Sequence, residues 1–124
     1  MIVDDTVLYS YAQQVGVLLA SKGLKLVSAE SCTGGWIGQS ITAIAGSSGW
    51  YECGFITYSN QAKHRMLGVQ ATTLLKYGAI SEQTTTHSTT HFFSGNREAV
   101  RRQAVAAALL GIIDLLGEIS PSLA

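Results

Sequence analysis

Ser28–Ala29–Glu30–Ser31–Cys32–Thr33–Gly34–Gly35–Trp36 decides the reading of this chain. Ahead of it, Leu24, Leu26 and Val27 form a short apolar run that predicts a buried strand. Behind it, Ile37, Ile41 and Ile44 recur at helical spacing, and Gly34 and Gly35 leave the junction free of side chains. A strand–glycine turn–helix junction exposes backbone N–H groups, which favour a phosphate, a carboxylate or a developing oxyanion. Ser31 or Cys32 in that field is placed to act as a nucleophile whose intermediate the amides stabilise. From the stretch alone a second reading carries equal weight: Ser31 and Thr33 as helix caps and Cys32 as a small filler.

Outward from the junction, 124 residues with 47% hydrophobic content predict a single domain spanning residues 1–124 with a real core. Eight acidic residues balance eight basic ones, and no long run of one sign occurs. The composition therefore carries no nucleic-acid footprint and no polybasic membrane patch, while a small anionic ligand stays open. Two cysteines, Cys32 and Cys53, make no disulfide framework, and free thiols in the cytoplasm are expected. Ala104–Leu116, the longest apolar stretch, is broken by Gly111 and Asp114 and is too short to span a bilayer, so a soluble protein is expected.

Taken in order, Asp4, Asp5 and Thr6 precede Leu8, Tyr11, Val15, Leu18 and Leu19, which share one helical face up to Gly23. The helix after the glycine turn is expected to run to Gly46–Gly49. Trp50–Tyr58 reads as a second strand in which Gly54 signals a bulge or a close backbone approach. Ser59 or Asn60 caps a short helix carrying Lys63, His64 and Met66 and closed by Gly68. Val69–Tyr77 reads as a further short helix, Ala79–Gln83 as a strand end or helix cap, and His87–Phe93 as an edge or final strand. A long helix from about Arg97 to Gly117 follows the Ser94–Gly95–Asn96 turn, with Val100, Ala104, Ala108, Ile112, Leu115 and Ile119 on its apolar face. Strands alternating with helices predict an α/β layer architecture.

A serine nucleophile needs a proton acceptor, and the three histidines offer no convincing one. Lys63 fills the role if it is neutral, with Tyr58 relaying a proton or orienting it; the plainer reading is a solvated lysine and a packed tyrosine. His87 and His91 lack the partners that complete a metal site, so no metal is expected. Arg97, Arg101 and Arg102 stand at the start of the last helix, where cations are disfavoured. Either Glu98 compensates them or a guanidinium meets an anionic ligand.

Ala29–Gly35, Ile44–Ser48, Gly54–Lys63, Tyr77–Glu82 and Phe93–Ala104 together closely resemble the CinA C-terminal family of nicotinamide-nucleotide amidases, over nearly the whole chain. The resemblance implies a three-layer α/β/α fold with a mixed sheet. It also implies hydrolysis of the carboxamide of nicotinamide mononucleotide to nicotinate mononucleotide and ammonia, without cofactor or metal. Carried over residue by residue, Ser31 is the nucleophile, Lys63 its base and Tyr58 an assistant. The amides of Thr33, Gly34 and Gly35 hold the oxyanion, and one of Arg97, Arg101 and Arg102 meets the phosphate.

The chain departs from the family between Ser81–Glu82 and Phe93–Gly95. A helix, a strand, a second glycine-rich Ser-Gly-Ile-Ala-Gly-Pro loop and a following strand are missing there. A central family segment is thus expected to be absent from pocket and sheet, and the open sheet edges predict a homo-oligomer. Two other functions compete: a non-catalytic nucleotide-binding or assembly domain derived from the family, and an unrelated hydrolase built on Cys32.

Overall fold

The structure, a computed structural model, describes residues 2–70 and 89–118. Helix α1 (Asp5–Lys22) begins where the Asp4 carboxylate accepts from the Val7 amide at 2.9 Å and ends at Gly23 in the left-handed conformation. Strand β1 (Leu26–Glu30), helix α2 (Trp36–Thr42), a 3-10 turn (Ser47–Gly49) and strand β2 (Tyr51–Ile56) follow. Helix α3 (Asn60–Leu67) is capped by the Ser59 hydroxyl, which accepts from Ala62 N–H at 3.1 Å, and helix α4 (Arg97–Glu118) by the Asn96 side chain on Ala99 N–H at 2.9 Å.

β1 and β2 pair in parallel, Ala29 against Phe55 and Glu30 against Ile56, with a bulge where Leu26 opposes Tyr51 and Val27 opposes Cys53. Parallel neighbours need a crossover, and α2 with the 3-10 turn supplies it. The α/β architecture matches the expectation; the strand pairing among the described residues is this single parallel pair. Gly54 marks a close approach: a Cβ there would collide with the Tyr51 hydroxyl, which hydrogen-bonds Ser28 Oγ at 2.7 Å.

The core is a seam between α1 and α4, closed by α2 and Trp50. Leu8, Ala12, Val15 and Leu19 of α1 meet Val105, Leu109 and Leu116 of α4, with Ile41 of α2 fully enclosed. This corrects the expected face of α4. Val100, Ala104 and Ala108 are only partly buried and Leu115 is exposed, because a four-residue step drifts around a 3.6-residue helix, whereas Val105, Leu109 and Leu116, with the expected Ile112 packed beside them, follow its stripe. α2 also ends earlier than expected. The Ile44 and Ser47 amides bond three residues back, to Ile41 and Ile44, tightening the chain out of the α-helix.

The expected strand His87–Phe93 is overturned in its described part. Residues 89–93 are irregular, Phe92 is 98% exposed, and Phe93 stacks on His91 with ring centroids 5.5 Å apart. High β-propensity makes no strand without a neighbour to receive its ladder. The readings of Val69–Tyr77 from residue 71 onward, of Ala79–Gln83, and of His87 and Ile119 lie outside the described residues.

Candidate active site

Parallel pairing brings the site together. Ser31 follows the C-terminal end of β1 and Tyr58 lies just beyond that of β2, so both leave the sheet at the same edge, and Thr57 N–H prolongs the ladder onto the Glu30 carbonyl at 2.8 Å. Open α/β sheets offer that edge to ligands. α3 then turns back so that Lys63, only 6% exposed, reaches across: its Nζ donates to Ser31 Oγ at 3.0 Å and to the Tyr58 carbonyl at 2.9 Å. Two residues thirty-two apart in sequence thus share a hydrogen bond.

The turn between them is shaped by its glycines. Gly34 and Gly35 sit at φ of 61° and 103°, and a Cβ on Gly35 would lie 2.9 Å from Ile56 Cδ1. Gly35 offers α2 no side-chain cap. Glu30 supplies one from a distance: its carboxylate, 5% exposed, accepts from Thr33 Oγ1 and Ile37 N–H at 2.8 Å and from Gly38 N–H at 3.0 Å. Sequence reasoning gave Glu30 no role. The available signal was an acid closing a strand ahead of a helix whose own first positions carry no acid and no capping side chain.

That contact relocates the anion-attracting amides. Those of Ile37 and Gly38 are occupied by Glu30, and that of Gly34 donates to the Ser31 carbonyl at 3.0 Å. The amides of Cys32, Thr33 and Gly35 make no hydrogen bond among the described residues.

The three arginines part company. Arg97 Nη2 donates to the Tyr58 hydroxyl at 3.1 Å. Arg101 lies over the turn, with Nε on the Cys32 carbonyl at 2.9 Å and Nη2 on the Thr33 carbonyl at 3.3 Å. Arg102 instead grips Asp5 and Glu98 and lies 4.9 Å over the Trp36 ring, tying α4 to the start of α1. The hydrogen bonds it donates, first to Asp5 and then to Glu98, push its pKa further upward. A cavity of about 320 Å³ beside the turn is lined by Cys32, Tyr58, Gly95, Asn96, Arg97, Val100, Arg101 and Ala104. Ser31 and Lys63 do not line it, and Tyr58, a residue 61% exposed, meets Lys63 through its carbonyl while its hydroxyl serves Arg97.

Cys32 and Cys53 are exposed free thiols. Among the described residues no group of three or more His, Cys, Asp or Glu side chains is placed to hold a metal ion, and no helix is long and apolar enough to cross a membrane.

Residues 8–88 match the CinA C-terminal domain family. Nicotinamide-nucleotide amidohydrolase PncC of Escherichia coli is 53% identical over 78 residues, 63% of this chain and 47% of that protein; the chain thus spans about half the length of this relative. A CinA-like protein of Chloroherpeton thalassium is 51% identical over 72 residues, 58% of this chain and 17% of its own. Among solved structures, a competence or damage-inducible protein from Enterobacter asburiae superposes with a TM-score of 0.84 over 88% of this chain and 98% of its own, at 24% identity. The competence/damage inducible protein from Agrobacterium tumefaciens gives 0.77 over 90% and 96%, at 29% identity. A family match over well over half the chain and a shared fold agree: the chain belongs to the CinA C-terminal domain family.

Proposed function

We propose that the chain is a cytoplasmic, self-associating nicotinamide-nucleotide amidase that hydrolyses the carboxamide of nicotinamide mononucleotide through Ser31 and Lys63. The observation that carries the reading is the 3.0 Å hydrogen bond between Lys63 Nζ and Ser31 Oγ, within reach of direct proton transfer. The curated relative from Escherichia coli bears the name of that activity.

In the proposed reaction neutral Lys63 takes the Ser31 proton as Oγ attacks the amide carbon, which the pyridinium ring makes electron-poor. The Thr33 and Gly35 amides of the glycine turn receive the oxyanion, the Gly34 amide being engaged by the Ser31 carbonyl. As the C–N bond breaks, Lys63 returns the proton to nitrogen and ammonia departs, leaving an ester on Ser31. Water then attacks that ester, its proton passes to Lys63 and on to Ser31 Oγ, and the carboxylate product leaves. The scheme calls on no metal or cofactor. Tyr58 holds the lysine through its carbonyl, and Arg97 at the cavity takes the phosphate, since Arg102 is engaged by two carboxylates. Exposed Val27 and Ile56, on a parallel sheet that normally has both faces covered, support self-association.

The test is ammonia release from nicotinamide mononucleotide. Lys63→Ala should lower kcat roughly 10²- to 10⁴-fold and Ser31→Ala at least as much, while Cys32→Ala stays active. Nucleotide binding with no ammonia release from the parent protein would identify a non-catalytic binding domain instead.

A further inference from the structure

We propose that Arg101 and Glu30 act as a pair of positioning residues, gripping Thr33 from two sides and aiming its backbone N–H as the oxyanion donor for the Ser31 reaction. The inference rests on the amidase reading and adds to it which amide serves and what fixes that amide.

The geometry is one of peptide planes. No cis peptide occurs among the described residues, so the carbonyl and N–H of each peptide point in opposite directions. Arg101 Nε holds the Cys32 carbonyl at 2.9 Å, which turns the N–H on the same peptide, that of Thr33, away from the guanidinium. A cation on the carbonyl also polarises the peptide and makes its N–H a better donor. On the next peptide Arg101 Nη2 and the Trp36 amide hold the Thr33 carbonyl at 3.3 and 3.1 Å, and the Gly34 N–H opposite is occupied by the Ser31 carbonyl.

From the other side Glu30 Oε1 accepts from Thr33 Oγ1 at 2.8 Å, so backbone and side chain of one residue are both anchored. Glu30 also removes the α2 amides from competition. The Cys32 and Gly35 amides are unbonded as well among the described residues, but the Ser31 carbonyl on the Cys32 peptide is held only by the Gly34 amide of the same turn, and no contact fixes the Gly34 carbonyl on the Gly35 peptide. Thr33 is therefore the donor that side chains from outside the turn anchor, Arg101 through the Cys32 carbonyl and Glu30 through the Thr33 hydroxyl. Arg101, with two nitrogens on turn carbonyls and its plane 5.7 Å over Trp36, is built into the turn, in contrast to Arg97.

Two substrates separate positioning from phosphate binding: nicotinamide mononucleotide and its nucleoside, which has the same ring and amide without the phosphate. Arg101→Met should lower kcat roughly 10- to 100-fold on both with little change in KM, the scale of a misplaced catalytic donor. Arg101→Lys, which keeps stem and charge and can reach one carbonyl, should recover part of that rate and guards against misfolding of the methionine variant. Thr33→Val, which leaves the Glu30 hold on α2 intact, should also lower kcat, and Thr33→Ser should restore it.

A fluorophosphonate reagent gives a readout independent of amide turnover: Ser31 Oγ bonds to phosphorus, fluoride leaves, and the serine proton passes to Lys63. Labelling of Ser31 should slow in Arg101→Met by a factor similar to the loss in kcat. If the parent labels at Ser31 yet releases no ammonia, the amidase reading fails and the labelling rates alone judge the clamp. A loss confined to KM for the nucleotide, kcat and labelling rates within about twofold of the parent, or a parent that does not label at Ser31, overturns the proposal.

Discussion

Replacing Glu30 by glutamine keeps the shape of the side chain and removes only its charge and one acceptor, so it measures how firmly the turn is held. Three donors converge on this carboxylate: Thr33 Oγ1 and Ile37 N–H on Oε1, and Gly38 N–H on Oε2. A glutamine can offer its oxygen to the first two, and then sets its own NH2 against the Gly38 amide, donor against donor. Two charge-assisted bonds become neutral ones, at about 1 kcal/mol each, and the orphaned amide costs about 1–3 kcal/mol, for a total of about 3–5 kcal/mol. Urea unfolding should show that loss as a lower midpoint at unchanged slope. The melting temperature should fall by about 4 °C per kcal/mol in a chain of this size. A loss below about 1 kcal/mol would refute the reasoning, because it would mean that water serves the α2 amides as well as the carboxylate does.

Two further outcomes follow from the packing. Gly16→Ala should gain about 0.5–1 kcal/mol of helix preference, but its Cβ would lie 2.5 Å from Trp50 Cζ2 in a ring only 6% exposed. Overpacking of about 1–3 kcal/mol wins, and a urea melt should find the variant less stable; a stabilised variant would mean that Trp50 moves aside freely. Arg102→Met removes ion pairs to the exposed Asp5 and Glu98 and a cation–π contact with Trp36, together about 1–2 kcal/mol. The gap between parent and variant should narrow as salt is raised to about 1 M; a gap indifferent to salt would assign the effect to packing on Trp36.

What the sequence disclosed follows from how local each signal is. Asp4, Gly23, Ser59 and Gly68 bound their helices where capping chemistry puts them, since a cap involves residues within one turn. The strand–turn–helix at Ser28–Trp36 was legible for the same reason. Ser31 and Lys63 were paired by chemical need and by family resemblance, not by spacing, because only the parallel register of β1 and β2 brings them together. Glu30 went unread because its partners lie three to eight residues on, across a turn whose curvature the glycines set. The face of α4 was misjudged because α1 selects it, and a helix rich in alanine and leucine offers several faces of similar hydrophobicity. Residues 89–93, the described part of the expected last strand, are irregular because propensity says nothing about whether a neighbouring edge exists.

Where the acyl group goes during turnover is the most direct question to put to this molecule. Acid-quenched protein, digested after mixing with isotopically heavy nicotinamide mononucleotide, should yield a peptide bearing the nicotinoyl nucleotide as an ester on Ser31, and Ser31→Ala should yield none. The label on Cys32, or undiminished ammonia release by Ser31→Ala, would contradict the account.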